Sequence, residues 1–216
     1  MAAGKGTRLR PFTDNNPKPL IKVGGISLIE RNILKLKEHN ISEVVINLHH
    51  FGEKIIDLLG EGSNYGLKIS YSLEKDLLGT GGGICNSIHH FDDPFIVLSS
   101  DTWTDFDFNK LRLKEGHLAH MIMIPNPKNN TLGDAALIDG LINLESDINK
   151  YTFSGVSILS PKLFHGSKVI ESELWKDFLK PAVAKGLVSG EVYEGLFENL
   201  NTMDDVERLD ASLGEE

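Results

Sequence analysis

The sequence predicts an α/β protein with a layered, largely parallel sheet, and three observations carry that expectation. Short β-rich runs alternate with segments of helical period. Several of the runs are apolar without alternation, as strands covered on both faces are. The 216 residues, 40% hydrophobic and 25% charged, suit one globular domain with a sizeable buried core.

In chain order, Leu28 to Glu38 predicts a helix, with Ile29, Ile33, Leu34 and Leu36 on or near one stripe. Val44 to Leu48 predicts a strand, Glu53 to Leu59 a helix and Leu67 to Ser72 a strand. Gly83 to His90 then reads as a helix, Phe95 to Ser99 as a strand, Phe108 to Glu115 as a helix and Ala119 to Ile124 as a strand. Beyond Pro125 the pattern changes: Asn126 to Asp134, rich in Asn, Pro and Gly, reads as a loop. Thr152 to Leu159 follows as a strand, Glu171 to Lys185 as a helix and Val192 to Leu200 as a strand. Thr202 to Leu213 is a terminal helix that Thr202 and Asp205 can open as a capping box. The change near Pro125 divides the expected domain into a core, 1–125, and a second ligand-binding lobe, 126–216. A glycine-rich turn of the kind that begins at Ala2 normally follows a β-strand, so the expected first strand is missing and the start is expected upstream of Met1.

With 22 basic and 31 acidic residues the formal net charge is −9, which repels phosphate backbones and anionic lipid headgroups. Nucleic acid and membrane are therefore excluded as expected partners, and an anionic ligand needs a local cationic pocket. Cys85 is the single cysteine, expected as a small buried apolar residue, and it rules out an internal disulfide. No apolar run approaches the ~18 residues that span a bilayer, and the expected compartment is the cytoplasm.

Three constellations carry chemistry. In Gly4-Lys5-Gly6-Thr7-Arg8-Leu9-Arg10-Pro11 the glycines let backbone amides converge on an anion, and the cations of this loop and of Lys18, between Pro17 and Pro19, can neutralise a polyphosphate. No Gly-Lys-Ser/Thr closes the loop and Leu9 stands at the third-glycine position, so it is neither a Walker A loop nor a dinucleotide fingerprint. Gly79-Thr80-Gly81-Gly82-Gly83 offers bare backbone that a flat ring or a phosphate can approach closely. Asp101, in Ser99-Ser100-Asp101-Thr102, falls at the carboxyl end of a predicted strand, where ligands of open α/β sheets gather and a carboxylate can hold Mg²⁺.

Ala2-Ala3-Gly4-Lys5-Gly6-Thr7-Arg8-Leu9-Arg10-Pro11, with Pro17-Lys18-Pro19-Leu20, resembles the signature of the sugar-1-phosphate nucleotidyltransferases. The glycine run and Asp101 follow in that family's order, and Phe153-Ser154-Gly155-Val156-Ser157 and Val188-Ser189-Gly190-Glu191 extend the likeness over nearly the whole chain. The resemblance implies a Rossmann-like, doubly wound, mostly parallel but mixed sheet with helices on both faces. It implies an enzyme that joins an NTP to a sugar 1-phosphate and releases pyrophosphate, with Mg²⁺ as cofactor. UTP and N-acetylmuramate 1-phosphate are the leading pair, beside guanylyl transfer to mannose 1-phosphate or cytidylyl transfer to phosphocholine. By the same likeness Ala3, Gly4, Gly6 and Thr7 wrap the triphosphate, Arg8 steadies the departing pyrophosphate and Lys18 contacts the phosphates of both substrates. Gly81 and Gly82 lie against the base, Asn126 and Gly155 seat the sugar, and Asp101 and the position of Asn199 hold the metal.

One stretch departs from the family's pattern. In Phe197-Glu198-Asn199-Leu200-Asn201-Thr202, Asn199 stands where Asp is expected and Asn201 where Gly is expected. An amide oxygen ligates Mg²⁺ without negative charge, so metal binding is expected to weaken unless Glu198, Asp204 or Asp205 substitutes. A non-catalytic nucleotide-sugar binding protein is the alternative. His49-His50 and His89-His90 have no third ligand at metal spacing, Trp103 reads as packing, and Lys176 and Lys180 as solvated.

Overall fold

The computed structural model describes residues 1–145, 148 and 150–213. In chain order its elements are β1 (Lys22–Val23), β2 (Ile26–Ser27), α1 (Leu28–Glu38), β3 (Glu43–Leu48), α2 (Gly52–Leu59) and β4 (Lys68–Leu73). There follow α3 (Gly79–Ser87), β5 (Phe95–Val97), β6 (Thr102–Thr104), β7 (Ala119–Ile124), β8 (Ala135–Ile138) and β9 (Leu141–Asn143). The remainder comprises β10 (Lys150–Leu159), α4 (Lys180–Val183), β11 (Val188–Val192), β12 (Phe197–Asn199) and α5 (Met203–Leu213). The backbone divides into two compact units interleaved along the chain: Met1–Leu77 with Ser99–Thr104 and Glu198–Glu216, and Leu78–Leu98 with Asp105–Phe197.

In the first unit, β3 and β4 pair in parallel, Glu43 opposite Lys68 through Leu48 opposite Leu73, as the two flanking helical periods require of a β-α-β connection. Ile29 and Ile33 of α1, Ile55 and Leu59 of α2, and Ile46, Leu48 and Ile69 of the strands close into one buried cluster. Ser27 caps α1 by a reciprocal capping box with Glu30. A second cluster gathers Leu9, Ile21, Val23, Leu28, Trp103, Leu200, Val206 and Leu209. It binds the glycine loop, β6, the end of β12 and α5 to a common apolar support.

The second unit is a sheet of order β5-β10-β7-β11-β9-β8. β10 runs antiparallel to β5, β7 and β8, whereas β11 runs parallel to β7. The sheet is mixed, as expected, but its pairings are mostly antiparallel rather than parallel: β7–β11 is its parallel pair, and β3–β4 is a separate parallel pair in the first unit. All of β7 is buried, which is why Ala119 to Ile124 reads as an apolar run interrupted only by His120.

Four element assignments change. Phe108 to Glu115 is not a helix: a single 3-10 turn, Phe108–Lys110, places Phe108 and Leu111 in the interior, and Leu111 is already extended. The i, i+3 apolar spacing is satisfied by one such turn as well as by a helix. The expected strand Val192 to Leu200 is two strands, β11 ending at Val192 and β12 starting at Phe197. The expected helix Glu171 to Lys185 is a π-helical turn, Leu174–Leu179, leading into α4. The fourth, α3, starts at Gly79 rather than Gly83, so the glycine run lies within a helix.

Candidate active site

The glycine loop is shaped by its closest neighbours. Gly6 has φ 61°, and a Cβ there would stand 2.9 Å from Lys18 Cβ and 3.0 Å from Thr13 Cγ2. Only glycine accepts both the left-handed backbone and that approach. Its carbonyl receives Leu9 N (2.9 Å) and Thr13 Oγ1 (3.0 Å), which fixes the 3-10 turn Thr7–Leu9. Within the turn Leu9 is wholly buried while Thr7 and Arg8 are exposed, so the core anchor and the cation are consecutive residues. At the loop's start Ala2 N donates to Asn47 Oδ1 (2.8 Å), and Asn47 Nδ2 donates to the buried Glu74 (2.7 Å). Ala3 is buried, whereas at Gly4 an added Cβ would meet open space.

Lys18 opens a second 3-10 turn, Lys18–Leu20, between two prolines that restrict the backbone on either side. Its ammonium donates to Asp101 Oδ2 and, at 3.2 Å, to Asn201 Oδ1. Arg8 Nη2 donates to the same Asn201 oxygen at 2.7 Å. Asp101 Oδ1 accepts from Ser99 Oγ at 2.5 Å. Burial pushes the Asp101 carboxyl up, but the Lys18 ammonium, the Ser99 hydroxyl and its own backbone amide outweigh that and hold it below the ordinary carboxylate value. Just past β12, Leu200 is buried while its neighbours Asn199 and Asn201 are half-buried. Leu200 N donates to Asp101 O (3.1 Å), and Asn199 Oδ1 accepts from Thr102 Oγ1 (3.3 Å). Arg8, Lys18, Asp101, Asn199 and Asn201 therefore form one hydrogen-bonded patch in the first unit.

The candidate metal donors are Asp101 and Asn199, a carboxylate and an amide, both hard oxygen ligands. A carboxylate has about four lone-pair sites, of which Lys18, Ser99 and its own backbone amide use three on Asp101. The set fits Mg²⁺ that takes most of its ligands from phosphates and water, with one negative charge from the protein instead of two. Two of the possible stand-ins, Glu198 and Asp205, are committed elsewhere, while Asp204 is exposed. Glu198 accepts from Arg208 Nη2 (2.9 Å), and Asp205 Oδ2 accepts from the amides of Asn201 (3.1 Å) and Thr202 (2.9 Å). Thr202 Oγ1 returns a bond from Asp205 N (3.2 Å), completing the expected capping box of α5. No group of three His, Cys, Asp or Glu side chains that could hold a metal occurs among the described residues.

In the second unit the bare backbone of the glycine run is approached closely by the chain itself. A Cβ on Gly82 would stand 2.2 Å from Ile170 O and one on Gly81 2.6 Å from Phe178 Cε2, while both amides donate to Ser172 O. Asn126 donates to Lys150 O (3.1 Å) and accepts from Thr152 Oγ1 (3.0 Å), tying its loop to β10. Gly155, with φ 85°, sits where the β10–β7 register shifts. Cys85 is buried, and Trp103, also buried, carries the Arg31 guanidinium 3.5 Å above its ring, a packing role as expected.

Sequence reasoning missed Ser99, Asn47 and the part played by Asn201. Asn47 is a polar residue between apolar Ile46 and Leu48 near the end of β3, a signal that could have marked it, and Ser99 follows the apolar run Phe95 to Leu98. Asn201 was visible only as a departure from an expected glycine.

The model of the family described as Nucleotidyl transferase matches residues 1–130. The N-acetylmuramate alpha-1-phosphate uridylyltransferase of Neisseria meningitidis serogroup B is 37% identical over 212 residues, covering 94% of this chain and 92% of that protein. The D-glycero-alpha-D-manno-heptose 1-phosphate guanylyltransferase of Campylobacter jejuni is 26% identical, with 95% and 94% covered. Other curated relatives are longer, and the chain spans 35% of one and 34% of another. The crystal structure of HddC from Yersinia pseudotuberculosis superimposes with a TM-score of 0.83 at 23% identity, over 98% of this chain and 96% of that one, a likeness of fold.

Proposed function

For a chain that belongs to the nucleotidyl transferase family, as this one does, we propose the transfer of a nucleotidyl group from an NTP to a sugar 1-phosphate, with UTP and N-acetylmuramate 1-phosphate as substrates. The observation that supports this reading is the convergence of Arg8 and Lys18 on one neutral acceptor beside Asp101. With Asp101 negative, the three charges sum to +1 inside a molecule of net charge −9. That local excess is what a meeting of two polyanions requires.

In the reaction an oxygen of the sugar phosphate attacks the α-phosphorus in line. A new P–O bond forms as the α-phosphorus to bridging-oxygen bond breaks, and both electrons leave with pyrophosphate. No protein nucleophile takes part, so positioning and charge supply the catalysis. Arg8 offers its planar fork to the departing pyrophosphate. Lys18, held by Asp101, presents its ammonium to the phosphates of both substrates. Ala3, Gly4, Gly6 and Thr7 line the triphosphate. Asp101 and Asn199 would hold Mg²⁺, which when bound neutralises phosphate oxygen charge.

Incubating the protein with each NTP and a panel of sugar 1-phosphates tests the proposal. Pyrophosphate release is expected with UTP and N-acetylmuramate 1-phosphate, and folded protein that releases none from any pair refutes it. Asn199 favours a second reading, a nucleotide-sugar binding protein without turnover, for which calorimetric binding with no pyrophosphate release is the signature.

A further inference from the structure

We propose that Asn201 is a positioning residue that holds Arg8 and Lys18 together on a neutral oxygen, so that their positive charge is preorganised for phosphate without being cancelled. Its Oδ1 accepts from Arg8 Nη2 at 2.7 Å and from Lys18 Nζ at 3.2 Å. The amide is itself braced: Nδ2 donates to Asn199 O (3.3 Å), and the backbone amide donates to Asp205 Oδ2 (3.1 Å) within the capping box of α5. Leu200, fully buried next to it, fixes the backbone beneath. The oxygen is thus presented from a rigid support rather than by a freely rotating side chain.

The chemistry favours an amide over the alternatives. Arg8 is exposed, and a guanidinium or ammonium on a long stem has several rotamers to lose when it meets a phosphate. A shared acceptor removes part of that loss before the ligand arrives. A carboxylate would also gather the cations but would reduce the local charge of Arg8, Lys18 and Asp101 from +1 to zero. A glycine, expected here from the family resemblance, would leave the two cations unlinked. Arginine carries five N–H donors and lysine three, so one bond each to Asn201 and one from Lys18 to Asp101 leave donors for phosphate.

This inference rests on the phosphate-binding reading of the same patch, and inorganic pyrophosphate in the presence of EDTA probes it without metal or turnover. Calorimetry on the whole chain compares wild type with Asn201→Ala and Asn201→Asp, thermal melts reporting on folding. Wild type is expected to bind pyrophosphate, Asn201→Ala to bind about threefold to tenfold more weakly, and Asn201→Asp more weakly still. In turnover the Ala variant is expected to lose more in KM than in kcat. Unchanged or tighter binding by Asn201→Ala overturns the proposal, and so does a lowered melting temperature with unchanged affinity. A wild type that does not bind pyrophosphate overturns instead the reading of the patch as a phosphate site.

Discussion

Asn199 and Asn201 show how much one side chain decides. Both flank buried Leu200, one bonded to Thr102 next to Asp101 and the other accepting from two cations. Restoring charge at the first, in Asn199→Asp, is expected to lower the Mg²⁺ concentration at half-maximal pyrophosphate release and to raise the plateau about tenfold or more, since a preorganised electrostatic group at such a site often governs ~10²–10³ in rate. A magnesium titration of turnover checks this, and an unchanged curve would mean that Asn199 is not a metal ligand. At this scale the sequence was legible where residues carry charge at motif spacing: Arg8, Lys18 and Asp101 do share one patch. It was illegible for Asn201, because a hydrogen bond between residues separated by 193 positions leaves no local trace.

Among elements, α3 is the least ordinary. Glycine disfavours a helix interior by roughly 1 kcal/mol relative to alanine, yet Gly79, Gly81, Gly82 and Gly83 all lie within it. The reason is the segment at Ile170 and Ser172, whose backbone lies against positions where a Cβ has no room. Gly82→Ala is therefore expected to destabilise the chain by about 1–3 kcal/mol despite its better helix propensity. Urea unfolding reads this directly, and a stabilised variant would contradict the packing. The same competition explains what periodicity could not supply. Propensity and spacing found α1, α2 and β7, where the local pattern agrees with the environment, but misplaced the start of α3 and extended the single turn at Phe108 into a helix. In both places tertiary contacts set the outcome.

Over the whole molecule the net charge of −9 excludes nonspecific attraction of anions as the source of phosphate binding. Among the described residues, no helix is long and apolar enough to cross a membrane. The proposed function rests on one local pairing, Lys18 with Asp101, whose side chains are 13% and 19% exposed. Removing the cation in Lys18→Met leaves a largely buried carboxylate, at an expected loss of about 2–3 kcal/mol near neutral pH. Because the Asp101 carboxyl is held below its ordinary value of 3.8, the pairing stabilises the fold above that pH and ceases to do so as the pH falls through the lowered value. The stability gap between wild type and variant should accordingly close in acid. The most direct test of the account is the rate of pyrophosphate release by Lys18→Met under conditions where it is folded. A fall of about 10²–10³ relative to wild type is predicted, whereas an undiminished rate would contradict the assignment of this patch as the site of phosphate transfer.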